Sequence, residues 1–172
     1  MTTTPETTTT ANAEVATLLE TLAGQRAFLR QTVRGLTDEQ AARRTTVSEL
    51  CLSGLIKHVA GVERNWTQFV VRGAGAMTND QGEWLDGFHL GEGETLAGAL
   101  EDYDEVARRT AEIVTGLPDL EVSHPLPEAP WFEPGASWSA RRVLLHVLAE
   151  TAQHAGHADI IRESLDGAKT MG

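Results

Sequence analysis

From Ala13 onward, apolar side chains recur at helical spacing. Val15, Leu18, Leu22, Leu29 and Val33 form one stripe that stops at Gly35, and they predict a first helix. A second stripe of Leu52, Leu55, Ile56, Val59, Val62, Trp66, Phe69 and Val70 predicts a helix from about Ser48 to Gly73. Residues 74–93 are glycine-rich and aperiodic, which predicts a long loop carrying Trp84 and Phe88. Leu96, Leu100, Tyr103, Ala107, Thr110 and Val114 then mark a third helix from Glu94 to about Thr115, ended by Gly116-Leu117-Pro118. Pro125, Pro127, Pro130 and Pro134 exclude a regular helix between His124 and Ser137. A fourth helix is expected from Ser139, a residue suited to capping it, to about Leu165 before Gly167. No strand is expected. Four amphipathic helices predict an all-α fold, a four-helix bundle with a long helix 2–3 loop and a proline-rich helix 3–4 link. Residues 1–12 are threonine-rich and read as a disordered tail, leaving residues 13–172 as a single domain.

Composition narrows the classes. A chain of 172 residues can bury a core without disulfides or structural zinc. Its one cysteine, Cys51, rules out an internal disulfide and a cysteine-built zinc site, and fits a reducing cytoplasm. No apolar run approaches the roughly 18 residues of a membrane helix, and the N-terminus lacks a secretory pattern, so a soluble cytoplasmic protein is expected. A net charge of −11 opposes binding to phosphate backbones or anionic lipid, so neither nucleic acid nor membrane is an expected partner.

The fourth helix holds the candidate chemistry. At 100° per residue, His146, Glu150, His154 and His157 share a face with Val143, Val147, Ile161 and Leu165. One carboxylate and three imidazoles turned toward a core need partners, and a metal ion would satisfy several at once. Rise along the helix separates His146 from His154 by about 12 Å, too far to share an ion. Three chelating pairs remain: His146 with Glu150, Glu150 with His154, and His154 with His157. On the second helix His58, flanked by Leu55 and Val62 at the edge of the apolar stripe, is a third ligand candidate. Trp66, Trp138 and Phe69 read as core, whereas Trp84 and Trp131, in loops, are candidates for touching a bound ligand or cosubstrate. Arg141, Arg142 and Arg162 read as surface or ion-paired residues.

The segments SGLIKHVAGVERNW and SWSARRVLLHVLAETAQHAGHADIIRE resemble the DinB-like (YfiT-like) metal-binding superfamily, over nearly the whole folded chain. Such proteins are four-helix bundles, commonly dimeric, that bind zinc or a similar ion through one histidine on the second helix and a pair four residues apart on the fourth. The pair here reads Glu-x3-His. In this it is similar to the metal-binding domain of mycothiol-dependent maleylpyruvate isomerases, where histidine, glutamate and histidine hold the ion. Carried over, the resemblance implies His58, Glu150 and His154 as metal ligands and a homodimer. His157 and His146 become neighbours of the site, suited to proton transfer. Those isomerases carry a further C-terminal domain that is absent from this sequence.

With three protein ligands, a coordination position stays open for something exchangeable. The resemblance implies a metal-dependent thiol S-transferase. In it Zn2+, with Ni2+, Mn2+ and Fe2+ as alternatives, activates a low-molecular-weight thiol such as mycothiol for attack on a small electrophile. A metal-dependent small-molecule hydrolase and a non-catalytic metal- or ligand-binding bundle are the competing expectations.

Overall fold

The computed structural model describes residues 5–77 and 87–170, with side chains from residue 13 onward. The order of elements is α1 (Pro5–Gln31), α2 (Asp38–Ala41), α3 (Leu52–Arg72), a 3-10 turn (Ala74–Ala76), α4 (Leu96–Thr115), β1 (Ser123–Pro125), β2 (Ser137–Ser139) and α5 (Ala140–Asp166). The four long helices are the expected all-α bundle. Upstream, α1 reaches Pro5 and so enters the threonine-rich stretch read as tail.

Local chemistry sets the helix ends. Ser139 caps α5, its hydroxyl accepting from the Arg142 N–H, and Gly167 ends it in the left-handed region at φ +80. Thr95 caps α4 in the same way through Gly98. At α3 the start lies later than the pattern suggested, because Cys51 rather than Ser48 is the N-cap; residues 46–49 form a bend. Two elements were not foreseen. Short α2 is closed by a capping box in which Thr37 and Gln40 each bond the other's backbone N–H. The expectation of no strand is corrected as well: β1 and β2 pair antiparallel with His124 opposite Trp138. The four prolines that exclude a helix leave the two ends of the link free to pair, with Pro125 at the strand terminus where a missing N–H costs little.

Side-chain pairs fix the direction of each helix. Arg141 meets Glu14 and Arg162 meets the carbonyls of Thr32 and Arg34, so α1 and α5 run parallel. Lys57 meets Glu94 and Arg64 meets Asp102, so α3 and α4 also run parallel. Against them α5 is antiparallel to α3, with His58 facing His154 and Trp66 facing His146. Two successive helices pointing the same way force the chain between them to travel back along the bundle. That is the physical reason for the long connection between α3 and α4, and it delivers Phe88 beside the first turns of α3.

Two apolar clusters fill the interior. One gathers Leu29, Leu55, Ile56, Val59, Tyr103 and Ile161 near the start of α3. The other gathers Leu22, Trp66, Phe69, Val143 and Val147 toward its end. Between them lies a polar layer. Glu63, fully buried, accepts from Arg26 Nε at 3.0 Å and from Thr110 Oγ1 at 2.6 Å, and Arg26 Nη2 reaches its second bond to the same carboxylate. Thr67 lies 3.2 Å from Thr110. Burial and the Glu63 charge raise the Tyr103 phenol above its ordinary range.

Candidate metal centre

The α3 and α5 helices face each other with His58 on one and Glu150 and His154 on the other, and one ligand atom from each lies within 4.8 Å of the others. A tetrahedral ion about 2.1 Å from its ligands sets them roughly 3.4 Å apart, so modest side-chain turning completes the chelate. His154 Nε2 is 3.5 Å from Glu150 Oε2, the i, i+4 contact that one helix turn provides. The His58 and His154 rings meet edge-on at 4.8 Å.

Electrostatics prepares these groups for a cation. Burial, joined by the neighbouring His154 and opposed by Glu150, lowers His58 from 6.5 to about 4, so its imidazole is neutral, the form that ligates a metal. Glu150 is held below the usual carboxylate range, first by its hydrogen bond with His154, and is therefore ionised. Two buried imidazoles and one part-buried carboxylate, convergent, form a donor set suited to a divalent ion.

Of the three pairs left open by spacing, Glu150 with His154 is the one that lies with His58 in a group fitting a metal ion. His157 is brought alongside them, but its Nδ1 lies 3.4 Å from His154 Nδ1, on the side of that ring away from Glu150. It can fix the orientation of His154 rather than bind with it. His146 sits on the other side of Glu150, edge-on to Trp66 at 4.9 Å and to Trp138 at 5.1 Å. Burial lowers its pKa, Glu150 opposes the shift and Arg142 adds to it. Trp66 and Trp138 stack at 4.7 Å, with the Arg142 guanidinium 4.4 Å over Trp138. These tryptophans, read as core, also wall the site beside His146.

Trp131 is not drawn into the cluster of ligands: it is 73% exposed and touches Phe132, which leads inward to Trp66 and Trp138. Trp84 lies outside the described residues. Phe88 was noted only as a loop residue, yet its ring stacks on His58 at 4.0 Å with the planes 18° apart. No periodicity signals such a contact, because it joins a loop to a helix across 30 positions of chain. An open groove of about 790 Å³ lies elsewhere, lined by Arg30, Arg34, Leu36, Asp38 and Leu100. It shares no residue with the His/Glu/His cluster.

An all-α bundle whose facing helices converge a His/Glu/His set defines a DinB-like protein with a site that fits a metal ion. A family model described as mycothiol-S-transferase matches residues 17–167, a span that runs from within α1 to the end of α5 and includes all three ligand candidates. The chain belongs to the mycothiol-S-transferase family, a DinB-like family. A search of curated proteins returns no match. No helix among the described residues is long and apolar enough to cross a membrane.

Proposed function

We propose that the protein is a metal-dependent thiol S-transferase that uses mycothiol and transfers it to a small electrophile. The observation that carries the reading is the convergence of His58, Glu150 and His154 within a chain of this family. His58, Glu150 and His154 would hold the ion, with Zn2+ proposed first and Ni2+, Mn2+ or Fe2+ as competitors for the same donors. A divalent ion there would supply the Lewis acidity that keeps a thiol ionised at neutral pH. His157 steadies His154 through its Nδ1, fixing which nitrogen faces the site. His146, uncharged and half-buried, accepts the proton released by the thiol. The sulfur then attacks an electrophilic carbon, forming a C–S bond while the displaced electron pair departs with the leaving group or is protonated. Trp66 and Trp138 exclude water from the flank beside His146. Trp131 and Trp84 are proposed to touch the thiol or its partner at the rim. We also propose a homodimer in the cytoplasm, which light scattering and fractionation would check.

The test joins two measurements on protein purified without chelator or histidine tag. Plasma mass spectrometry should find about one divalent ion per chain, lost in His58→Ala and Glu150→Ala. The same protein should consume mycothiol in the presence of 1-chloro-2,4-dinitrobenzene, releasing chloride, and the two variants should not. Ester or amide hydrolysis without any thiol would instead select a hydrolase. Bound ion with no turnover of any kind would select a non-catalytic bundle.

A further inference from the structure

Gly54 stands in the first turn of α3, and a Cβ placed on it would lie 1.7 Å from the Phe88 carbonyl oxygen and 2.4 Å from its carbonyl carbon. No side chain fits there, not even a methyl group. The neighbouring Cys51 thiol is directed at the same carbonyl, 3.8 Å away. One turn further along α3, on the same face, is His58, and the Phe88 ring covers it at 4.0 Å. That ring also lies 6.2 Å from the ring of His154. A single loop residue therefore docks its backbone on a bare stretch of helix and its ring on one metal-ligand candidate, close to a second. Gly54 and His58, four residues apart, are the two halves of one contact surface.

An imidazole ligates only while its ring is held at the right torsion, and groups that fix a ligand ring act on metal affinity without touching the ion. We propose that Phe88, seated by Gly54, is a positioning residue for the metal centre and a determinant of its specificity. Its stacked ring holds His58 in place and closes one flank to water, leaving the flank of His146 and Trp66 as the approach to the cluster. An apolar flank disfavours the strongly hydrated water or hydroxide of a hydrolase and favours the softer sulfur of a thiol. This inference rests on the reading of His58, Glu150 and His154 as a metal centre.

The test compares wild type with Gly54→Ala, Phe88→Ala, Phe88→Tyr and the double variant Gly54→Ala/Phe88→Ala. Zn2+ affinity is read by competition with a chromophoric chelator, and the ligand field by the visible spectrum after Co2+ loading. In metal-free protein, the rate at which Cys51 reacts with an aromatic disulfide reports loop docking, since Cys51 is buried under Phe88. Gly54→Ala and Phe88→Ala should each weaken zinc binding by about 10–100-fold and alter the cobalt spectrum. The double variant should be no worse than either single one, Phe88→Tyr should behave as wild type, and Cys51 should react faster in both alanine variants. Should Gly54→Ala not fold, Phe88→Ala, which only shortens a loop side chain, carries the test. Faster Cys51 reaction with unchanged zinc affinity and cobalt spectrum would make the docking structural only and overturn the proposal. A wild type that binds neither Zn2+ nor Co2+ would overturn the metal-centre reading instead, while Cys51 would still report whether Gly54 seats Phe88.

Discussion

Around Glu63 and around His58, on the same helix, the bundle buries ionisable groups and completes them differently. Both oxygens of Glu63 are taken by Arg26, and one accepts from Thr110 as well, so the partners come from α1 and α4 and the charge is matched inside the protein. His58, Glu150 and His154 instead each bring a ligand atom within 4.8 Å of the others, an arrangement of donors rather than an ion pair. A buried charge matched by its own chain is a device of structure, whereas a converging set of imidazole and carboxylate donors fits a metal ion. The same burial that makes Glu63 costly to disturb keeps His58 unprotonated and ready to bind.

Breaking the matched cluster should produce the largest change. Glu63→Ala leaves Arg26 buried without its carboxylate and should cost about 3–5 kcal/mol in urea unfolding, while the ion content of the folded fraction stays at the wild-type value. Arg26→Met with Glu63→Leu should recover much of that loss, because two apolar groups replace a desolvated pair. Recovery no better than Glu63→Ala alone would count against the pairing argument. Removing the ion is next: a ligand present at 100 times its dissociation constant stabilises by about 2.7 kcal/mol. Chelation should lower the wild-type Tm accordingly and leave Glu150→Gln unmoved. An equal shift in both would place the ion somewhere else.

The pH dependence is smaller. The folded-state pKa of His58, about 4, lies below its unfolded value of 6.5. Between those values the unfolded chain holds a proton that the folded chain does not. Stability of the metal-free protein should therefore fall as pH drops from 6.5 toward 4, by at most about 1.4 kcal/mol per pH unit from this residue, with no contribution above 6.5. Replacing His58 with phenylalanine should flatten that slope. Smallest of all, Ser139→Ala should cost about 1 kcal/mol through the lost α5 cap. It should not change zinc affinity, since the cap stands about four helical turns from His154.

Much of this architecture was readable from the chain. Ser139 and Gly167 mark the ends of α5 because capping is local chemistry, and the apolar stripe of α3 announces its buried face before any neighbour is known. The face holding His146, Glu150, His154 and His157 followed from helical geometry, but three metal pairs survived it; the packing of α3 against α5 brings His58 to one of them. Glu63 escaped notice because a carboxylate inside an apolar stripe has meaning only when Arg26 stands across from it. The β1–β2 ladder was missed because prolines speak against helix and say little about which extended segments meet. Gly54 and Phe88 were hidden for a similar reason: a missing Cβ in a first turn carries no signal until the returning loop lies on it.

Because α3 and α4 point the same way while α5 lies parallel to α1, the pieces of the site come from opposite halves of the chain. Pairings of high contact order form late, after local helices and after the loop entropy has been overcome. As the chain leaves the ribosome, α1, α3 and α4 can begin to associate, but the seat between α1 and α3 stays empty until α5 is made. A nascent or truncated chain would thus present His58 without Glu150 and His154, and ion uptake at the proposed site would mark completion of the bundle rather than an early step that organises it.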